Sequence, residues 1–116
     1  SKTTIFNRRK KSHYLEHALK YTEGRYCDSI TVQDIADHLN MNRSYLHRLF
    51  NSFTGVSIQN YLLDYRIRQA CILLQNTSLS VRSVAHTVTY ADPLYFSRIF
   101  YQKMGISPRE YRNKFQ

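Results

Sequence analysis

The 116-residue chain is long enough for one packed domain or two small lobes, and 42% of its residues are hydrophobic. Its 17 Lys and Arg against 8 Asp and Glu leave a net charge of +9, which points to a polyanionic partner. No apolar stretch approaches the roughly 20 residues of a membrane-spanning helix, and no signal-peptide pattern opens the chain. Cys27 and Cys71 are far apart and read as two unpaired thiols in a reducing compartment.

Residues 1–11 are polar and end in Arg8-Arg9-Lys10-Lys11. They read either as a basic linker or arm that touches phosphates or as a solvated charge run at a helix start. Over residues 12–23, Tyr14, Leu15, Ala18, Leu19 and Thr22 recur at helical spacing, and Gly24 is a natural stop. Thr31 then serves as the N-cap of a second helix, with Asp34 in its first turn and Ile35, Ala36 and Leu39 as its apolar face. Asn40 tolerates a left-handed turn, and Met41 plugs the space beneath it. A third helix is expected from about Arg43 to Phe53. It turns Leu46, Leu49, Phe50 and Phe53 inward, leaves Ser44, His47, Arg48 and Asn51 outside, and closes at Gly55.

Ser57 caps a longer helix, about residues 58–74, with Ile58, Tyr61, Leu62, Tyr65, Ala70, Leu73 and Leu74 on its apolar face. At 1.5 Å per residue it spans roughly 26 Å. Its lack of Gly and Pro suits a strut that holds its two ends at a fixed separation. Ser80 caps the next helix over Val81, Val84, Ala85 and Val88, and the turn Thr89-Tyr90-Ala91 follows. Asp92 caps a sixth helix with Pro93 in its first position. Phe96, Ile99 and Phe100 point inward, and Leu94, Ser97, Arg98 and Tyr101 point outward. Gly105 ends it. Ser107-Pro108-Arg109-Glu110 has the form of a capping box that opens a short last helix to about Phe115. No strand pattern appears, so the fold class is all-α.

The chain nearly repeats itself. With a shift of 49, Thr31, Val32, Ile35, Ala36, Leu39 and Met41 fall on Ser80, Val81, Val84, Ala85, Val88 and Tyr90. With a shift of 50, Tyr45, Leu46, Arg48, Leu49, Phe50, Gly55 and Tyr61 fall on Tyr95, Phe96, Arg98, Ile99, Phe100, Gly105 and Tyr111. Each copy reads helix, tight turn, helix. A basic chain with two helix-turn-helix units is suited to touching DNA at two places.

These residues carry a family resemblance. Residues 31–112 resemble the DNA-binding domain of AraC-type transcriptional regulators. The resemblance rests on Arg43-Ser44-Tyr45-Leu46-His47-Arg48-Leu49-Phe50 followed by Gly55, on Asp92-Pro93-Leu94-Tyr95-Phe96-Ser97-Arg98-Ile99-Phe100, and on the closing Gly105-Ile106-Ser107-Pro108-Arg109-Glu110-Tyr111-Arg112. It implies seven helices in two helix-turn-helix lobes joined by a long linker helix. The expected division is a basic linker or arm over 1–11, a first lobe over 12–57, the linker helix over 58–74 and a second lobe over 75–116. The family usually has Gly where Asn40 and Thr89 stand. Thr89 is β-branched, so either the second turn departs from left-handed geometry or it carries strain.

The major groove presents a distinct donor and acceptor pattern for each base pair, and Arg reads guanine O6 and N7 with two parallel donors. The expected base contacts are Arg43, Ser44, His47, Arg48, Leu94, Ser97 and Arg98. Leu94 would meet a thymine methyl or pack on its own lobe. Phosphates are expected at the helix N-termini near Thr31, Ser57, Ser80 and Ser107, with Arg82, Lys103 and Arg109 adding charge. Tyr45 and Tyr95 either bond a phosphate or pack.

His13 and His17 stand four apart on one helix, but no third metal ligand is evident, so no metal site is expected. No catalytic residue and no cofactor are expected either: the chain has no Gly-rich phosphate loop and no nucleophile with a base and an orienter. Enzymes that join such a domain to a zinc-cysteine DNA-repair site need more cysteines than two. A nucleoid-packing module without sequence preference would explain the charge but not two preserved recognition helices. The reading is a sequence-specific duplex-DNA-binding domain for bacterial transcription control, with one recognition helix per lobe in successive major grooves. It is expected in the cytoplasm at the nucleoid. RNA polymerase is a further partner to be tested. The start without Met suggests a longer regulator with an N-terminal effector-binding domain.

Overall fold

The computed structural model describes the backbone of residues 2–116 and the side chains from residue 9 onward. Of the basic arm expected over residues 1–11, Ser1 and the side chains of residues 2–8, Arg8 among them, lie outside the described residues. The described residues form seven helices: α1 Lys2–Arg25, α2 Val32–His38, α3 Arg43–Thr54, α4 Ile58–Asn76, α5 Val81–Thr87, α6 Pro93–Met104 and α7 Pro108–Phe115. The described residues form no strand, and none of their helices is long and apolar enough to cross a membrane.

The helix termini follow the local chemistry. Thr31 accepts from the Asp34 N–H at 3.1 Å while the Asp34 carboxylate accepts from the Thr31 N–H at 2.8 Å, a complete capping box. Ser57, Ser80 and Ser107 each accept from the backbone N–H three residues on, at 3.0–3.1 Å. The start of α3 belongs to Asn42, whose side chain accepts from the Tyr45 N–H at 2.7 Å. Gly55 and Gly105 both stand at φ 78°, a left-handed end that a residue without Cβ adopts cheaply.

Two differences from the sequence reading concern helix extent and facing. α1 begins ten residues before the periodic stretch and runs through Gly24 to Arg25. Its first half is too polar to display an apolar period, yet it contains no residue that breaks a helix. Phe53, expected inside, is 40% exposed, because Leu46, Leu49 and Phe50 already fill the inward positions of α3.

The chain divides into two compact units. One comprises residues up to Arg25 and Ile30–Leu62; the other comprises Tyr26–Ser29 and Leu63–Gln116. The first core gathers Ala18, Ile35, Ala36, Leu46, Phe50 and Ile58, with Met41 and Tyr61 packed against it. The second gathers Ile67, Ala70, Leu74, Val84, Ala85, Val88, Phe96 and Phe100, with Tyr90 and Tyr111 packed against it. The repeat seen in the sequence is therefore a repeat of core positions. Phe50 meets Tyr61 with ring centroids 5.3 Å apart, and Phe100 meets Tyr111 at 5.7 Å. Within the second unit Arg112 donates from Nε to the Leu74 carbonyl at 3.1 Å and from its terminal nitrogen to the Thr77 carbonyl at 3.3 Å, satisfying carbonyls at the end of α4. Arg66 similarly donates to the carbonyls of Tyr26 and Asp28, tying the 26–29 segment to α4.

Candidate nucleic-acid interface

In the first unit the turn between α2 and α3 is built by Asn40 at φ 54°, with the Met41 N–H donating to the Ala36 carbonyl at 3.1 Å. In the second unit Thr89 stands at φ 78° and the Tyr90 N–H donates to the Ala85 carbonyl at 2.8 Å. Of the two alternatives at Thr89, the strained one holds: the turn keeps its left-handed geometry although the residue is β-branched. Burial pushes the phenol of neighbouring Tyr90 above its ordinary pKa, against the opposing pull of the Arg66 guanidinium.

Each turn delivers a helix whose outer face is open. On α3, Arg43, Ser44, His47, Arg48 and Asn51 are exposed. Arg43, Ser44, His47 and Arg48 line one depression of about 390 Å³ together with Val32 and Gln59. The four base-reading candidates of the first repeat are thus brought together, and Gln59, from the start of α4, joins them. Sequence reading missed Gln59; its place two residues after the Ser57 cap was the available signal. On α6, Leu94 is 74% exposed and Arg98 is exposed, whereas Ser97 is half-buried. Leu94 therefore does not pack on its own unit.

The phosphate candidates divide by how they are engaged. Thr31, Ser57, Ser80 and Ser107 spend their hydroxyl oxygens on their own helices. An anion there would be met by the free N–H groups of the first turn. Asp34 and Glu110 put carboxylates in the first turns of α2 and α7, which oppose a phosphate, while α4 has no acid there. The Glu110 carboxylate meets the Ser107 hydroxyl at 3.2 Å. Arg82 and Arg109 are exposed. Lys103 is held by Asp64, Nζ to Oδ1 3.0 Å. Tyr45 is half-buried, whereas Tyr95 is 50% exposed with its ring 6.1 Å from Tyr90, so the two matching tyrosines differ in availability. His13 and His17 approach to 3.0 Å between their Nε2 atoms, and among the described residues no group of three metal-ligating side chains forms.

A family model described as "Helix-turn-helix domain" matches residues 35–114, well over half of the chain. The solved structure of a transcriptional regulator with an AraC-type DNA-binding domain from Chromobacterium violaceum superposes with a TM-score of 0.83 at 28% identity, covering 89% of this chain and 92% of that one. The chain belongs to the AraC-type helix-turn-helix family. Another solved structure similar to this AraC-type domain is the DNA-binding domain of AdpA, a global transcriptional factor, in complex with a target DNA: TM-score 0.83, 27% identity, 87% of this chain and 91% of that one. The Msm operon regulatory protein of Streptococcus mutans is 36% identical over 103 residues, 89% of this chain. The chain spans 37% of that relative's length.

Proposed function

We propose that this AraC-type domain binds duplex DNA sequence-specifically in bacterial transcription control, with α3 and α6 each entering a major groove and the two grooves successive along the duplex. The observation that carries the reading is the clustering of Arg43, Ser44, His47 and Arg48 on the open face of α3, at the repeat position that recurs as Arg98 on α6. Arg48 and Arg98 are the guanine readers, Ser44, His47 and Ser97 supply adaptable donors and acceptors, and Leu94 meets a thymine methyl. Phosphates are met at the N-terminus of α4 behind Ser57, with Arg82, Arg109 and Tyr95 as side-chain contacts. The domain acts in the bacterial cytoplasm as part of a longer regulator. In support, the relatives are bacterial regulators more than twice its length.

Selection of bound sequences from a random duplex pool tests the reading. An asymmetric motif should be enriched, and log K for it should fall by about 0.9 per log unit of salt for each phosphate neutralised. Equal binding to matched and scrambled duplexes at moderate salt would leave only non-specific packing by charge.

A further inference from the structure

A second depression of about 450 Å³ lies on the first unit and shares no lining residue with the groove of Arg43, Ser44, His47 and Arg48. Two stretches that are distant in sequence build it: Lys10, Lys11 and Tyr14 from α1, and Leu39, Asn40 and Met41 of the turn with Tyr45 from the first turn of α3. Its polar groups suit an oxyanion. Two ammonium groups and two phenol hydroxyls can donate, and no carboxylate stands among the lining residues. The first turn of α3, which carries the positive end of that helix's dipole, also has no acid. Lys10 Nζ lies 6.0 Å from the Tyr14 ring centroid, at the outer reach of a cation–π contact, which places its charge beside that ring.

The position of the notch relative to α3 decides what it meets. Ser44, His47, Arg48 and Asn51 share the outer face of α3, and Tyr45, about 100° further round the helix, marks its flank. A helix seated in a major groove turns its outer face to the base edges and its flanks to the phosphate walls. We infer that Lys10, Lys11, Tyr14 and Tyr45 form a clamp for a DNA backbone phosphate beside the groove that α3 enters. The inference rests on the duplex binding proposed above and adds to it a phosphate contact from α1. Of the two readings open for the basic run, it assigns Lys10 and Lys11 to phosphate contact. It likewise gives Tyr45 a phosphate-bonding role. The shared chemistry is a phosphate oxyanion, and the exposed, unenclosed lysines favour a polymer backbone over a free phosphorylated molecule.

The test compares the chain with its Lys10→Gln/Lys11→Gln variant on the selected duplex across a salt series. Both lysines are exposed, so the variant should fold as the parent does; Tyr14→Phe, which keeps the ring, is an independent second variant. The expected result is weaker binding to matched and scrambled DNA alike, an unchanged base preference, and a salt slope shallower by about 1. Replacing single phosphates by uncharged methylphosphonates should identify one position that weakens the parent but not the lysine variant. An unchanged slope in the lysine variant overturns the clamp while leaving specific DNA binding intact. Loss of enrichment in the parent itself would instead count against the DNA reading. Inorganic pyrophosphate titrated into the DNA-free chain separates the sources. Saturable binding that the lysine variant loses, with an unaltered DNA slope, would assign the notch to a free phosphorylated ligand and overturn the clamp.

Discussion

At Thr89 a β-branched side chain occupies φ 78°, a region that costs an L-residue roughly 1–2 kcal/mol. The matching position in the first unit is Asn40, whose short polar side chain tolerates the same region better. Thr89→Gly should therefore raise stability by about 1 kcal/mol, less the entropy that glycine loses on folding. Asn40→Gly should change it far less. Urea unfolding of both variants checks this, and a Thr89→Gly protein less stable than the parent would show that Thr89 contributes packing that outweighs its strain. Arg48 and Arg98 are exposed in both units and take part in no ion pair that competes with DNA among those described. Arg48→Ala should cost about 1–3 kcal/mol of binding and relax preference at one G·C pair; Arg98→Ala should do the same in the other half of the site. Repeating the random-pool selection with each variant reads both effects, and two variants with unaltered preference would remove the arginines from base readout.

At the scale of elements, helix starts are bounded by side chains acting over two or three residues, but α4 is finished from a distance. Its last carbonyls are satisfied by Arg112, 35 and 38 residues further along the chain. Charge-assisted bonds of this kind contribute about 1.5–3 kcal/mol, and removing the donor strips the Leu74 carbonyl of its side-chain partner while Thr77 keeps only the Gln116 amide at 3.0 Å. Arg112→Ala should accordingly destabilise the chain by that order. Arg112→Lys should recover little, because a single ammonium does not reproduce the fork that reaches Leu74 and Thr77 together. Denaturant midpoints decide it, and full stability in the lysine variant would reduce Arg112 to a surface charge. The motif that ends in Tyr111-Arg112 thus has a structural account: Tyr111 packs on Phe100 and Arg112 closes α4.

For the whole molecule, the proposed mode of binding makes a geometric demand. Two helices in successive grooves need those grooves about one turn apart, ~34 Å or 10–10.5 base pairs, so one monomer should protect an asymmetric site of roughly two turns. Inserting about five base pairs between the half-sites turns one groove to the far side of the duplex. Affinity should then fall towards that of a single unit unless the DNA bends, at a cost of several kcal/mol. α4, with neither Gly nor Pro between Ile58 and Asn76, is the reason to expect no easy accommodation by the protein. Undiminished affinity in footprinting titrations on the expanded site would mean that the units engage DNA independently.

The seven helices apart from the first half of α1, their caps at Thr31, Ser80, Asp92 and Ser107, the glycine ends at Gly55 and Gly105 and the outer face of Ser44, His47 and Arg48 were legible in the amino-acid order. They depend on periodicity and on bonds to residues two to four away. Five features were not. The polar first half of α1 hid its helix from periodicity, and Asn42 capped α3 where the sequence signalled only its general start. Phe53 lost its place in the core to neighbours of equal hydrophobicity. Lys103 was drawn to Asp64 in place of standing free. Lys10, Lys11 and Tyr14 came to lie beside Asn40 and Tyr45. Local order carries the caps and the faces because each is written within one turn of helix. Which face meets which, and which charges are already engaged, is settled by packing across 30 residues or more, where many pairings satisfy the same hydrophobic pattern and close packing admits only one.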